Sequence, residues 1–91
     1  MEEAEELYRA TYDARKKKLG DDHPQTLSSA GNLGALLDEK AQKLDEEGAT
    51  DPAALARIYT EVADLFLPRY GDEDEDVVRC RQRAAELAGA A

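Results

Sequence analysis

The feature that most constrains this sequence is a weak internal repeat centred on two Gly-Asp pairs. Gly20-Asp21 and Gly71-Asp72 stand 51 residues apart (71 − 20 = 51), and at the same offset Tyr8 aligns with Tyr59. Each unit reads as a helix, a turn and a second helix. A fixed-period self-match of this kind is typical of α-solenoids, in which neighbouring helix pairs bury each other's apolar faces.

Four segments carry apolar residues at the three- and four-residue steps of an amphipathic helix. In the first segment one such stripe consists of Ala4, Leu7, Tyr8, Thr11, Tyr12, Arg15 and Leu19. The predicted helices cover residues 2–19, 24–47, 52–67 and 74–87, and residues 88–91 are expected to fray. No segment alternates as a strand does. The sequence therefore predicts a single all-α domain over residues 1–91, a solenoid fragment of four helices in antiparallel hairpins.

Glycines and prolines set the predicted helix boundaries. Gly20 and Gly48 are natural stop residues, and Pro24 and Pro52 suit the first position of a helix because their missing N–H costs nothing there. The candidate capping residues are Asp22 or His23 before the second helix, and Thr50 or Asp51 before the third.

Two residues inside the helical segments predict local packing. Gly34 lies on the apolar stripe of the second helix, which indicates that another helix approaches its backbone closely. Pro68 removes a backbone hydrogen bond and clashes with the preceding turn, so the third helix is expected to kink or end near Leu67.

The charge balance limits the partners that such a chain can have. The net charge is −9, which disfavours nucleic-acid phosphates and anionic membrane surfaces. If charge selects a partner, that partner presents Lys or Arg; otherwise the acidic surface serves solubility. The acidic start of the chain is unlike a targeting peptide, so the expected compartment is the cytoplasm, or an organelle interior if a targeting segment was removed.

No residue set in the sequence predicts catalysis, and we expect neither metal nor cofactor. His23 is the only histidine and is expected to act in the turn before Pro24. Cys80, the only cysteine, is expected to be a small buried residue rather than a reactive thiol. The acidic residues of 72–76 fail the calcium-loop pattern because the required Gly and Glu are missing. They are expected to start the fourth helix.

Residues 19–27, LGDDHPQTL, and 32–37, NLGALL, resemble the tetratricopeptide repeats of kinesin light chains and their relatives. In that family a Leu-Gly-x-x-His-Pro turn joins helix B of one repeat to helix A of the next. Residues 4–8, AEELY, are similar to the start of the family's helix B. The resemblance is close over residues 2–48 and loose over residues 53–88.

The sequence also departs from the family pattern. Residues 38–47 are surplus to the family spacing and are expected to lengthen the second helix. The residues Asp74-Glu75 replace His23-Pro24 in the second turn, and Pro68 has no counterpart. The order of helices is out of phase with whole repeats, so we expect either a fragment or a small protein whose ends are covered by something else.

The resemblance implies a non-enzymatic interaction module that binds a peptide or protein segment on a concave face lined by helix A residues. The residues expected there are Ser28, Ser29, Asn32, Ala35 and Glu39. The alternative is a small structural subunit of a larger complex or of a homo-oligomer, with the exposed apolar edges of the first and fourth helices as its interface. No nucleic acid, membrane or cofactor is expected in either case.

Overall fold

The computed structural model describes residues 2–90, and no strand occurs in that part of the chain. Its helices are α1 (Glu2–Leu19), α2 (Pro24–Glu47), α3 (Pro52–Tyr70) and α4 (Glu75–Ala90). Each helix packs against the next one along the chain. The predicted all-α fold of antiparallel helix hairpins is therefore confirmed. α2 continues unbroken to Glu47, as predicted for the surplus polar residues.

The two Gly-Asp turns share a positive φ at the glycine and the same closing hydrogen bond. Gly20 and Gly71 have φ values of 92° and 88°, in the region that is open to glycine and strained for other residues. The N–H of Gly20 donates to the carbonyl of Lys16 at 3.0 Å, and that of Gly71 donates to Leu67 at 2.9 Å. The helix ends and these hydrogen bonds repeat at the same 51-residue offset, so the repeat is structural as well as sequential.

Side chains cap the three helices that follow a turn. The Nδ1 atom of His23 accepts a hydrogen bond from the N–H of Gln25 at 3.1 Å. Oδ2 of Asp51 accepts one from Ala54 at 3.2 Å, and Asp74 accepts two from the first turn of α4. These contacts satisfy backbone donors that a helix leaves unpaired at its start. His23 is thereby confirmed as a turn and cap residue.

The end of α3 differs from the prediction. Of the two alternatives predicted at Pro68, an end near Leu67 is wrong, because the helix continues through Pro68 to Tyr70. The ring of Tyr70 packs edge-on against Phe66 with the ring centroids 5.6 Å apart. The hydrogen bond from Gly71 to Leu67 also closes the turn beyond the proline. We infer that these contacts offset the backbone hydrogen bond that Pro68 removes from the helix. The sequence pattern does not show such tertiary contacts.

The bounds of α4 also differ from the prediction. The helix begins at Glu75, one residue later than predicted, because the preceding aspartate is its cap. It continues to Ala90, past the predicted end at Leu87. Residues 88–90, which were expected to fray, lie within α4, and residue 91 lies outside the described residues. Leu87 anchors this end in the core, and alanine favours the helix.

The core lies around α3, which is packed between α2 and α4. The buried apolar side chains are Ala30, Leu33, Leu37, Ala41, Leu55, Ala56, Tyr59, Val62, Ala63, Leu65, Phe66, Val77, Cys80, Ala84 and Leu87. None of them comes from α1, which packs closely only against α2 among the described helices. Tyr12 packs against the core, but Leu7 is 64% exposed and Tyr8 is 39% exposed.

The predicted close approach at Gly34 is confirmed. A Cβ atom built on Gly34 would lie 2.6 Å from Cε1 of Phe66, well inside van der Waals contact. The absent side chain therefore makes room for the ring of Phe66. This contact fixes the distance between α2 and α3 at the centre of the core.

Ion pairs bridge α2 and α4 across the edge of α3. Arg79 contacts Asp38 at 2.6 Å, and Arg83 contacts Asp45 at 2.6 Å. The hydroxyl of Tyr59 donates to the same Asp45 carboxylate at 3.0 Å. The hydrogen bond from Arg83 lowers the pKa of Asp45. Burial, followed by the hydrogen bond to Asp45, raises the pKa of Tyr59 to about 12.

Candidate functional site

A groove of about 220 Å³ runs between α1 and α2. It is lined by Leu7, Tyr8, Thr11, Arg15, Ser29 and Asn32. The groove exists because α1 packs closely only against α2 and reaches α3 through the ion pair between Arg9 and Glu61. No described helix covers the side of α1 that carries Leu7 and Tyr8, which both remain exposed. An exposed leucine and a partly exposed tyrosine beside polar groups form a surface suited to a protein segment.

Arg15 lies at one wall of this groove, half-buried. Its Nη1 atom donates to Oγ of Ser29 at 2.8 Å and to the carbonyl of Gln25 at 3.3 Å. Arg9, Arg79, Arg81 and Arg83 all form ion pairs with carboxylates, but Arg15 forms none within the described part of the chain. A guanidinium has five N–H donors, so Arg15 retains donors for a ligand.

The structure brings together only part of the predicted site. Asn32 is exposed and lines the groove. Ser29 also lines it but is only 3% exposed. Its hydroxyl instead accepts the hydrogen bond from Arg15. The remaining predicted residues, Ser28, Ala35 and Glu39, are exposed on α2 outside the groove lining.

The residues of α1 that form the groove were missed as site residues. Leu7, Tyr8, Thr11 and Arg15 were interpreted as one apolar stripe, because periodicity does not show how many neighbours a helix has. The internal repeat could have identified them, because it allows the neighbours of α1 to be compared with those of α3. α3 packs closely against a helix on each side, whereas α1, its counterpart 51 residues earlier, packs closely only against α2 among the described helices.

A second, larger cleft of about 410 Å³ lies where α1, α2 and α3 meet. Lys16, Asp21, Glu61 and Asp64 supply charges of both signs around it. Its lining includes neither the histidine nor the cysteine of the chain.

The remaining candidates for chemistry have structural roles. Cys80 is 0% exposed, and its burial raises its pKa to about 11, so the reactive thiolate is scarce at neutral pH. Asp72 and Asp76 pair with arginines, and Asp74 caps α4. Within residues 2–90, no group of three or more His, Cys, Asp or Glu side chains is placed to hold a metal ion.

The described helices include none with both the length and the apolar character needed to cross a membrane. Comparisons of the chain with protein-family models, with characterised proteins and with solved structures gave no match.

Proposed function

We propose that this protein is a non-enzymatic interaction module of the tetratricopeptide-repeat type, which binds a segment of another protein in the groove between α1 and α2. The observation that carries this proposal is the juxtaposition of the exposed Leu7 and Tyr8 with Arg15, a guanidinium without a carboxylate partner. Apolar surface supplies affinity, and a single well-placed charge supplies orientation.

The sequence resemblance supports the same class of function. Helix pairs joined by matching glycine turns form surfaces on which related repeat proteins hold their ligands. The groove lies beside Asn32, one of the residues that the resemblance assigned to the binding face. The proposal includes no reaction, metal or cofactor. The compartment proposed with it is the cytoplasm, or an organelle interior if a targeting segment was removed.

The local charge of the groove modifies the expected partner. The overall charge of −9 favours a partner with basic groups, but exposed charges farther apart than roughly 10 Å are largely screened at physiological salt. Within the groove the charged group is Arg15. The bound segment should therefore carry a carboxylate next to apolar side chains, whatever the charge of the rest of the partner.

A selection from a displayed library of protein segments tests this function. The library is selected against the full chain, and each recovered segment is then measured against Leu7→Glu and Val78→Glu. Both residues are exposed, at 64% and 38%, so neither change should unfold the chain. Segments that lose at least tenfold in affinity with Leu7→Glu and keep it with Val78→Glu support the proposal. Recovery of no segment, or equal effects of both changes, contradicts it.

The exposed apolar residues at both ends of the fold favour a second candidate, a structural subunit of a homo-oligomer or larger complex. Leu7 projects from α1 and Val78 from α4, and both remain uncovered in the single chain. Size-exclusion chromatography with light scattering distinguishes the two functions. A stable monomer favours the binding module, and a stable oligomer favours the subunit.

A further inference from the structure

The 51-residue repeat relates the open groove to a filled one. The groove residues Leu7, Tyr8, Thr11, Arg15, Ser29 and Asn32 correspond to Ile58, Tyr59, Val62, Phe66, Cys80 and Arg83. The equivalence follows from the turns: α1 and α3 end, and α2 and α4 begin, at positions 51 residues apart, and both turns have a glycine with positive φ. The second set forms the equivalent surface between α3 and α4.

α2 occupies this second surface. Its Gly34 approaches Phe66, and its Asp45 accepts hydrogen bonds from Tyr59 and Arg83. Tyr59 is 3% exposed in this surface, while Tyr8, its counterpart, is 39% exposed. The surface between α1 and α2 therefore has the architecture of a helix-binding groove whose helix is not supplied by the described part of the chain.

The chemistry of the two surfaces differs at the centre and at the rim. Arg15 stands at the central position held by Phe66, where the apolar ring meets Gly34 of α2. At the rim, the neutral Asn32 takes the place of Arg83, which binds Asp45. The arginine that can bind a carboxylate therefore lies at the rim of the surface between α3 and α4, but at the centre of the groove between α1 and α2.

We propose that the groove between α1 and α2 binds an amphipathic α-helix of a partner protein, antiparallel to α1, with an acidic side chain in its apolar stripe facing Arg15. This inference rests on the proposed function and specifies its ligand. The antiparallel direction follows from the arrangement of α2 against α3. The carboxylate follows from charge complementarity with Arg15, which has no acidic partner among residues 2–90.

The chain itself provides the probe for a test. The peptide of residues 24–47 is the helix that fills the equivalent surface, and Gly34 is its position opposite the centre. A fluorescent Gly34→Glu peptide places a carboxylate there. The matched Gly34→Gln peptide has nearly the same shape and helix propensity. A Gly34→Glu peptide that also carries Leu37→Pro cannot remain helical.

Fluorescence anisotropy with the full chain measures the binding of each peptide. We expect the Glu peptide to bind roughly five- to tenfold more tightly than the Gln peptide, as for one charge-assisted contact in a partly exposed site. The proline peptide should not bind measurably. Replacement of Arg15 in the full chain by Gln should remove the Glu preference, and Arg15→Lys should retain much of it. Circular dichroism establishes that both variants remain folded.

The position of binding is tested with the same pair of surface variants. Leu7→Glu should abolish binding of the Glu peptide, and Val78→Glu should leave it unchanged. The inference is overturned if the proline peptide binds as well as the helical one. It is also overturned if the Glu and Gln peptides bind equally, or if no peptide binds.

Two further outcomes separate this inference from the proposed function. If extended, proline-containing segments from the library bind through Leu7, the module binds proteins but its ligand is not a helix. If the chain alone forms a dimer that Leu7→Glu dissociates, the groove holds a second copy of this chain, and the assignment to a different partner is overturned. If no library segment is recovered, the proposed function itself fails.

Discussion

Gly34 on α2 faces Phe66 on α3 so closely that a Cβ atom at Gly34 would lie 2.6 Å from ring carbon Cε1. Gly31, one turn earlier in the same helix, has more space, since its Cβ atom would lie 3.4 Å from Nη1 of Arg69. The first neighbour is a ring fixed in the core, and the second is the end of a flexible side chain. The two glycines should therefore respond in opposite ways to the same substitution.

We expect Gly34→Ala to lower the free energy of unfolding by about 1–2 kcal/mol. Overpacking against Phe66 costs about 1–3 kcal/mol, and alanine's better helix propensity returns up to about 1 kcal/mol. Gly31→Ala should leave stability unchanged or raise it by about 0.5–1 kcal/mol. Urea unfolding followed by circular dichroism measures both. If Gly34→Ala were as stable as Gly31→Ala, the contact with Phe66 would not limit the helix spacing.

A buried hydroxyl offers a route to a more stable protein. Thr26 is 1% exposed, and its Oγ1 atom has no hydrogen-bond partner within the described structure. The equivalent position in the second unit is Val77, which is fully buried. We expect Thr26→Val to raise the free energy of unfolding by about 1 kcal/mol, because it replaces an unpaired hydroxyl with a methyl group of similar volume. Thermal and urea unfolding provide the measurement.

The control for this prediction is Ser29, the other buried hydroxyl of α2. Its Oγ accepts a hydrogen bond from Arg15, so Ser29→Ala removes a contact that is made. The free energy of unfolding of the Ser29→Ala variant should be lower than that of the wild type by about 1 kcal/mol. A destabilising Thr26→Val together with a neutral Ser29→Ala would show that the two hydroxyls have been assigned the wrong roles.

The raised pKa of Tyr59 makes stability depend on pH in the alkaline range. In the folded chain this pKa is about 12, against about 10 for an unfolded tyrosine. Its stabilising contribution is full below pH ~10 and falls as the pH rises towards 12, because the unfolded chain loses the proton first. The loss should be on the order of 1–3 kcal/mol across this interval.

Urea unfolding at several pH values between 9 and 12 measures this effect, with Tyr59→Phe as the reference. The variant lacks the hydrogen bond to Asp45 and is less stable throughout, so the slope against pH is compared rather than the absolute value. The wild type should lose stability more steeply above pH 10. Parallel curves for the two proteins would contradict the raised pKa.

Cys80 should be protected from thiol reagents in the folded protein. It is 0% exposed, and its pKa is raised to about 11, so modification requires α4 to open from α3. We expect labelling at pH 8 to be at least about 100-fold slower than in urea, because local opening is a minor population. Labelling kinetics with a chromogenic disulfide reagent report this rate. Labelling at the unfolded rate would place the thiol at the surface.

Most of the fold could be predicted from the sequence because its boundaries depend on local chemistry. Gly20 and Gly48 end helices, and Pro24 and Pro52 begin them. Each of these effects acts within one turn of the chain. The end of α3 was missed because its last turn depends on the packing of Tyr70 against Phe66, a contact that local propensity does not register.

The groove was harder to predict for a different physical reason. A helical stripe reports which residues share a side of α1, but not whether a neighbouring helix covers that side. Leu7 and Arg15 therefore had the pattern of interior residues, and only the packing of whole helices shows that they line an open groove. The burial of Ser29 was equally hard to predict, since a polar residue on the expected face is 3% exposed and accepts a hydrogen bond from Arg15.

Because the turns at Gly20 and Gly71 match, the fold could be lengthened by protein engineering. A duplicate of residues 20–70, inserted after Tyr70, starts with the glycine corner that already follows α3 and returns to the same corner at its own end. Such a chain gains one hairpin while every junction keeps a backbone geometry that the molecule already uses. The length of the protein could therefore be increased in steps of one helical hairpin.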